Sequence, residues 1–210
     1  MKIVSPIATV VKGCVMAVAL SAYAMSASAA PTPYTNSGTE NLIEYSFTAA
    51  TTGDITAYFV SKGGAEYVNT LSISINGVDT GISGLTNQTS VYGQSLNFGH
   101  ANAGDVVVFS LYVANIERTW SSVKADNVDG VNHVYSTTFA GDQSIPTGVY
   151  LAFEDFKGFD NPDFNYLDAQ FVISNVTNGT PDVPVPAAAW LMGSGLLGLA
   201  GVARRRTQKN

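Results

Sequence analysis

The chain has 210 residues, 46% of them apolar, with ten basic and sixteen acidic side chains. Six of the basic residues (Lys2, Lys12, Arg204, Arg205, Arg206 and Lys209) lie at the two ends, so residues 30–182 hold four basic against all sixteen acidic groups, a formal charge of −12. That surface excludes nucleic acid as a partner and disfavours acidic polymers unless a cation bridges them. Cys14 is the one cysteine, and it lies in the leading segment, which excludes a disulfide framework, a thiolate metal site and a cysteine nucleophile from the rest.

Residues 1–29 have the layout of a secretory signal peptide. Lys2 and Lys12 precede an apolar run from Cys14 to Ala24, and Ala27-Ser28-Ala29 supplies small residues at the expected cut. The ectodomain expected at 30–176 then reads with a period of two. Asn41 to Phe47, Ile55 to Val60, Leu71 to Ile75, Val106 to Val113, His133 to Phe139, Gly148 to Phe153 and Ala169 to Asn175 are the expected strands. Asn76-Gly77 tolerates positive φ at both positions and predicts a tight hairpin turn. Short strands separated by Gly, Ser, Thr and Asn predict an all-β fold, a single antiparallel β-sandwich of jelly-roll-like type.

Most catalytic motifs fail on their companions. Ser121-Ser122-Val123-Lys124 contains Ser-x-x-Lys without the Ser-Asp-Asn or Lys-Thr-Gly partners, and Asp126-Asn127-Val128-Asp129-Gly130 aligns poorly with a calcium loop and reads as a turn. His100 and His133 have no zinc-pair spacing and are read as surface or edge residues. No two of the sixteen carboxylates are singled out as a hydrolytic pair. Trp120, beside Glu117 and Arg118 in a polar segment, is the candidate exposed platform for stacking a sugar.

The acidic stretch from Phe153 to Phe171 holds five carboxylates and two asparagine amides between apolar strands, with Lys157 alone to offset them. A hard cation relieves such repulsion by taking six to eight oxygens, and short Asp and Asn side chains can supply them within a turn. Phe153-Glu154-Asp155 and Asp163-Phe164-Asn165 resemble the end of a DUF4114-type domain of secreted bacterial proteins. The resemblance is partial, because the next Asp is displaced to Asp168 and Pro162 interrupts the loop. It implies calcium as cofactor, with Glu154, Asp155, Asp163, Asn165 and Asp168 as ligands. A solvated acidic turn is the competing reading.

Residues 177–186 are expected as a linker and 187–203 as a membrane helix, seventeen uncharged residues followed by a basic tail at 204–210. Val183-Pro184-Val185-Pro186, the glycine-dotted apolar run and Arg204-Arg205-Arg206 resemble a PEP-CTERM sorting signal, with Val185 where that family has Glu. The resemblance implies an exosortase as processing partner, transient residence in the inner membrane, and a destination at the cell surface or in an exopolysaccharide matrix. The expected protein is therefore an exported, non-enzymatic surface or biofilm-matrix component. The alternative is a carbohydrate-binding module, and a secreted hydrolase is the most distant reading.

Overall fold

In the computed structural model, residues 31–65, 67–156 and 163–179 are described. Eleven strands form two antiparallel sheets, with two short 3-10 turns as the only helical elements among these residues. The first sheet has the order β11-β1-β6-β3-β4, from β1 (Ser46–Ala49), β3 (Asn69–Ile75), β4 (Val78–Gly84), β6 (Val106–Val113) and β11 (Val176–Gly179); β7 (Arg118–Ser121) also pairs with β6. The second has the order β5-β2-β10-β9-β8, from β2 (Gly53–Ser61), β5 (Ser95–Ala101), β8 (Val134–Phe139), β9 (Gly148–Phe153) and β10 (Ala169–Ser174).

The alternation in the sequence explains the layers. Leu71 and Ile73 of β3 and Val107, Phe109 and Leu111 of β6 face a core shared with Ile55 and Phe59 of β2, Leu151 and Phe153 of β9, and Phe171 and Ile173 of β10. Each such side chain removed from water contributes about 1.5–3 kcal/mol, so this core holds the two sheets to one another. The turn after β3 is as expected: Asn76 and Gly77 have φ of 51° and 76°, the left-handed pair that matches strand twist in a two-residue hairpin.

Several expectations change. Residues 41–45 are not part of a strand; β1 begins at Ser46, and Leu42 and Ile43 are exposed. Their neighbourhood is held by a side chain instead, with Asn132 Nδ2 donating to the carbonyls of Asn41 (2.8 Å) and Ile43 (2.9 Å). Strands β5 and β7 carry too many polar residues and too little alternation to be read from sequence. Strand β11 runs to Gly179 and pairs with β1, so the sheet extends past residue 176 into the segment expected as linker. The expected signal peptide, the membrane helix at 187–203 and the basic tail lie outside the described residues, among which no helix is long and apolar enough to cross a membrane.

Candidate metal centre

The acidic stretch sits at the open end of the β9–β10 hairpin, where Phe153 and Ala169 form the last pair. Beyond it the strands part. Glu154 and Asp155 leave β9, and Asp168 stands just before β10. Asp168 closes the mouth: its amide donates to the Phe153 carbonyl (3.2 Å) and its Oδ2 accepts the Asp155 amide (2.9 Å). Gly63, in the β2–β3 connection, presses against this loop with φ of 49°, and any Cβ there would overlap the Leu167 carbonyl.

Three carboxyl groups are thereby removed from water. Glu154 is 0% exposed, Asp155 1% and Asp168 7%. Asp155 has partners: Oδ2 accepts Asn69 Nδ2 (2.7 Å), and its carbonyl accepts the Trp120 indole N–H (3.0 Å). Glu154 does not. Neither of its oxygens has a hydrogen-bond partner of normal geometry among the described residues. Burial pushes its carboxyl up to about 9, helped by the charges of Asp168, Asp163 and Asp155; the Tyr166 backbone amide opposes this only weakly. Asp168 is raised to about 7, first by burial and then by Asp155, and Asp155 is raised by burial against the pull of its Asn69 hydrogen bond.

The five expected ligands are therefore divided. Glu154, Asp155 and Asp168 are drawn together in the interior, whereas Asp163 is exposed and engaged with Asn165, whose backbone amide donates to Asp163 Oδ1 (3.0 Å). The Asp163 carbonyl accepts the Gly38 amide (2.6 Å), tying the loop to the N-terminal segment. Among the described residues, no three His, Cys, Asp or Glu side chains stand as a ready metal cluster. The donor chemistry nevertheless fits a hard cation, because both Glu154 oxygens are buried without partners and feel the charges of Asp168 and Asp155, and a bound cation would favour the ionised carboxylate that burial alone disfavours. Phe164 and Tyr166 have φ of 44° and 55°, a conformation unusual outside glycine. The Tyr166 hydroxyl holds that backbone in place by donating to the Asn132 carbonyl (2.9 Å) and accepting the Asn41 amide (2.8 Å).

Trp120 is not an exposed platform. It is 1% exposed, because its register opposite Leu111 turns the indole into the core, where it stacks on His133 at 4.0 Å and 5° between planes. His133 is likewise interior. Its Nδ1 lies 2.8 Å from the Glu154 carbonyl and its Nε2 3.1 Å from Asp129 Oδ2, so the Asp126–Gly130 turn supplies a partner for the ring. The surface reading does hold for His100, which lies beside Asp54 on an exposed edge.

Sequence reasoning missed Asn69, Asp129 and the interior place of His133. Asn69 had a legible sign: it shares parity with Leu71 and Ile73, so the alternation places it on the core face of β3. Nothing comparable marks His133, whose ring is held between Asp129, four residues before it, and the Glu154 carbonyl beyond the end of β9. Comparison with protein-family models, with curated proteins and with solved structures returned no match.

Proposed function

We propose that this chain is an exported, non-enzymatic surface or extracellular-matrix protein whose β-domain, a jelly-roll-like sandwich, is stabilised by calcium. The observation that carries the proposal is Glu154, a carboxyl group with no exposure and two unpaired oxygens, close enough to the buried Asp155 and Asp168 to feel their charges. Carboxylates sealed from solvent suit a resident ion that fastens the fold, whereas a turnover site needs access for substrate. Glu154, Asp155 and Asp168 would hold the ion, which supplies the positive charge that offsets their repulsion.

The address comes from the tail. Val183-Pro184-Val185-Pro186, the apolar run and Arg204-Arg205-Arg206 resemble an exosortase-read sorting signal, and on that reading the chain is halted in the inner membrane, processed, and delivered to the cell surface or an exopolysaccharide matrix. Fractionation of the native cell tests this directly. Deleting residues 183–210 should release unprocessed protein into periplasm or medium, and substituting Pro186 should leave an uncut membrane form. Normal maturation of the Pro186 variant would overturn the sorting reading.

One observation keeps carbohydrate binding as a second reading. An open cavity of about 560 Å³ lies against the N-terminal segment, lined by Pro33, Tyr34, Leu42, Ile43 and Tyr135 with Glu40 and Asn36 among its polar groups. Rings and a few polar groups in such a groove match the two faces of a sugar. Glycan binding that disappears in Tyr34→Ala would favour this reading, and no binding to any neutral or self-derived polysaccharide would remove it.

A further inference from the structure

Five asparagines are fully buried among the described residues: Asn41, Asn69, Asn87, Asn127 and Asn132. Four of them are satisfied at both ends of the amide. Each carbonyl oxygen accepts a backbone N–H (from Ile43, Asn69, Ser121 and Val134 respectively), and each Nδ2 donates to at least one backbone carbonyl. Asn69 is the exception. Its Nδ2 donates to Asp155 Oδ2, but its Oδ1 is buried with no partner.

Rotating the amide offers no escape. Exchanging its oxygen and nitrogen would set a carbonyl oxygen against a carboxylate oxygen, two acceptors without a proton between them. The backbone is equally fixed: the Asn69 amide donates to Asn87 Oδ1 (2.8 Å), its carbonyl accepts the Asn87 amide (3.1 Å), and the residue is in register with Val113 of β6. An unpaired buried acceptor costs about 1–3 kcal/mol. The other unpaired amide oxygen, Asn178 Oδ1, belongs to a half-buried side chain bonded to Ser136 rather than to a carboxylate.

We infer that Asn69 Oδ1 is a neutral ligand of the cation held by Glu154, Asp155 and Asp168, and that the ion clamps the two sheets together. The inference rests on the calcium reading above and adds to it. Glu154, Asp155 and Asp168 belong to the β9–β10 end of the second sheet, whereas Asn69 opens β3 of the first. An amide oxygen is the donor type that calcium accepts alongside carboxylates, and one neutral ligand limits the charge gathered in the interior. A preorganised donor also loses little freedom on binding, which favours affinity.

The test is calcium titration of the full-length chain in mild detergent, followed by calorimetry and by fluorescence of Trp120, whose indole N–H bonds the Asp155 carbonyl. Asn69→Ala should weaken calcium binding about tenfold or more, the scale seen even for groups that only orient a ligand. Asn69→Asp, which keeps an oxygen there, should bind calcium more tightly than Asn69→Ala, while in chelator its carboxylate facing Asp155 should lower the thermal midpoint. Independently of any variant, calcium should raise hydrogen-exchange protection at the start of β3 together with the β9–β10 mouth. Wild-type affinity in Asn69→Ala, with binding lost in Glu154→Gln, would overturn the role of Asn69 and leave the ion site standing. Protection confined to the β9–β10 mouth would do the same. No calcium binding by the wild-type chain would overturn both.

Discussion

Two buried polar regions flank the same loop and differ in one respect. Around Asn132, every group is paired: Nδ2 bonds the Asn41 and Ile43 carbonyls, Oδ1 takes the Val134 amide, and the Tyr166 hydroxyl reaches the Asn132 carbonyl. Around Glu154, a carboxylate and one amide oxygen are left without partners. A satisfied network fixes a segment that has no strand of its own, which is how residues 41–45 are held. An unsatisfied one carries a standing cost that a ligand can remove. The contrast separates scaffolding from a candidate site more sharply than burial does, since both regions are interior.

Breaking the satisfied side should have the largest effect. Asn132→Leu strands the carbonyls of Asn41 and Ile43 and the Val134 amide, with an expected loss of about 3 kcal/mol or more that calcium does not repair, read by urea denaturation. Gly63→Ala attacks the mouth from outside, since its Cβ meets the Leu167 carbonyl at a positive φ; a loss of about 1–3 kcal/mol is expected by the same measurement.

The pH dependence sharpens the comparison from the other side. Folded-state values raised above the ordinary 4.5 for Glu154 and 3.8 for Asp168 mean that folding favours the protonated acids. Their stabilising contribution is complete below those ordinary values and is lost as pH rises through about 7 for Asp168 and about 9 for Glu154. The thermal midpoint in chelator should therefore fall by several degrees between pH 5 and pH 9, while saturating calcium, which favours the ionised carboxylates, should flatten or reverse the slope. A midpoint in chelator that does not fall with pH would show that the Glu154 cluster is not strained by its charges. The smallest effect is expected at the exposed His100–Asp54 pair, where His100→Ala should leave the midpoint and the calcium response unchanged within error.

Much of the architecture was legible because alternation is local. A strand that buries one face must bury every second position, as β3 and β6 do, whereas β9 and β10 read as near-continuous apolar runs because both of their faces are covered. The Asn76-Gly77 turn was equally direct, since few residue pairs tolerate its backbone. Strands such as β7 and β11 escaped because neighbours in the sheet, rather than their own pattern, make them strands. Of the candidate site, the sequence marked the acidic stretch but not its division into buried Glu154, Asp155 and Asp168 and exposed Asp163.

By itself, then, the chain determined its class: a period of two, sixteen carboxylates gathered between two ends that hold six of the ten basic residues, and an acidic stretch between two apolar strands. Only the tertiary structure decided that Trp120 and His133 stack in the interior, and that Asn69 meets Asp155 across 86 residues of sequence. The physical reason is range. Periodicity and turn chemistry act over a few neighbouring residues, whereas burial and hydrogen-bond partners are set by segments that meet only when the two sheets close on their core.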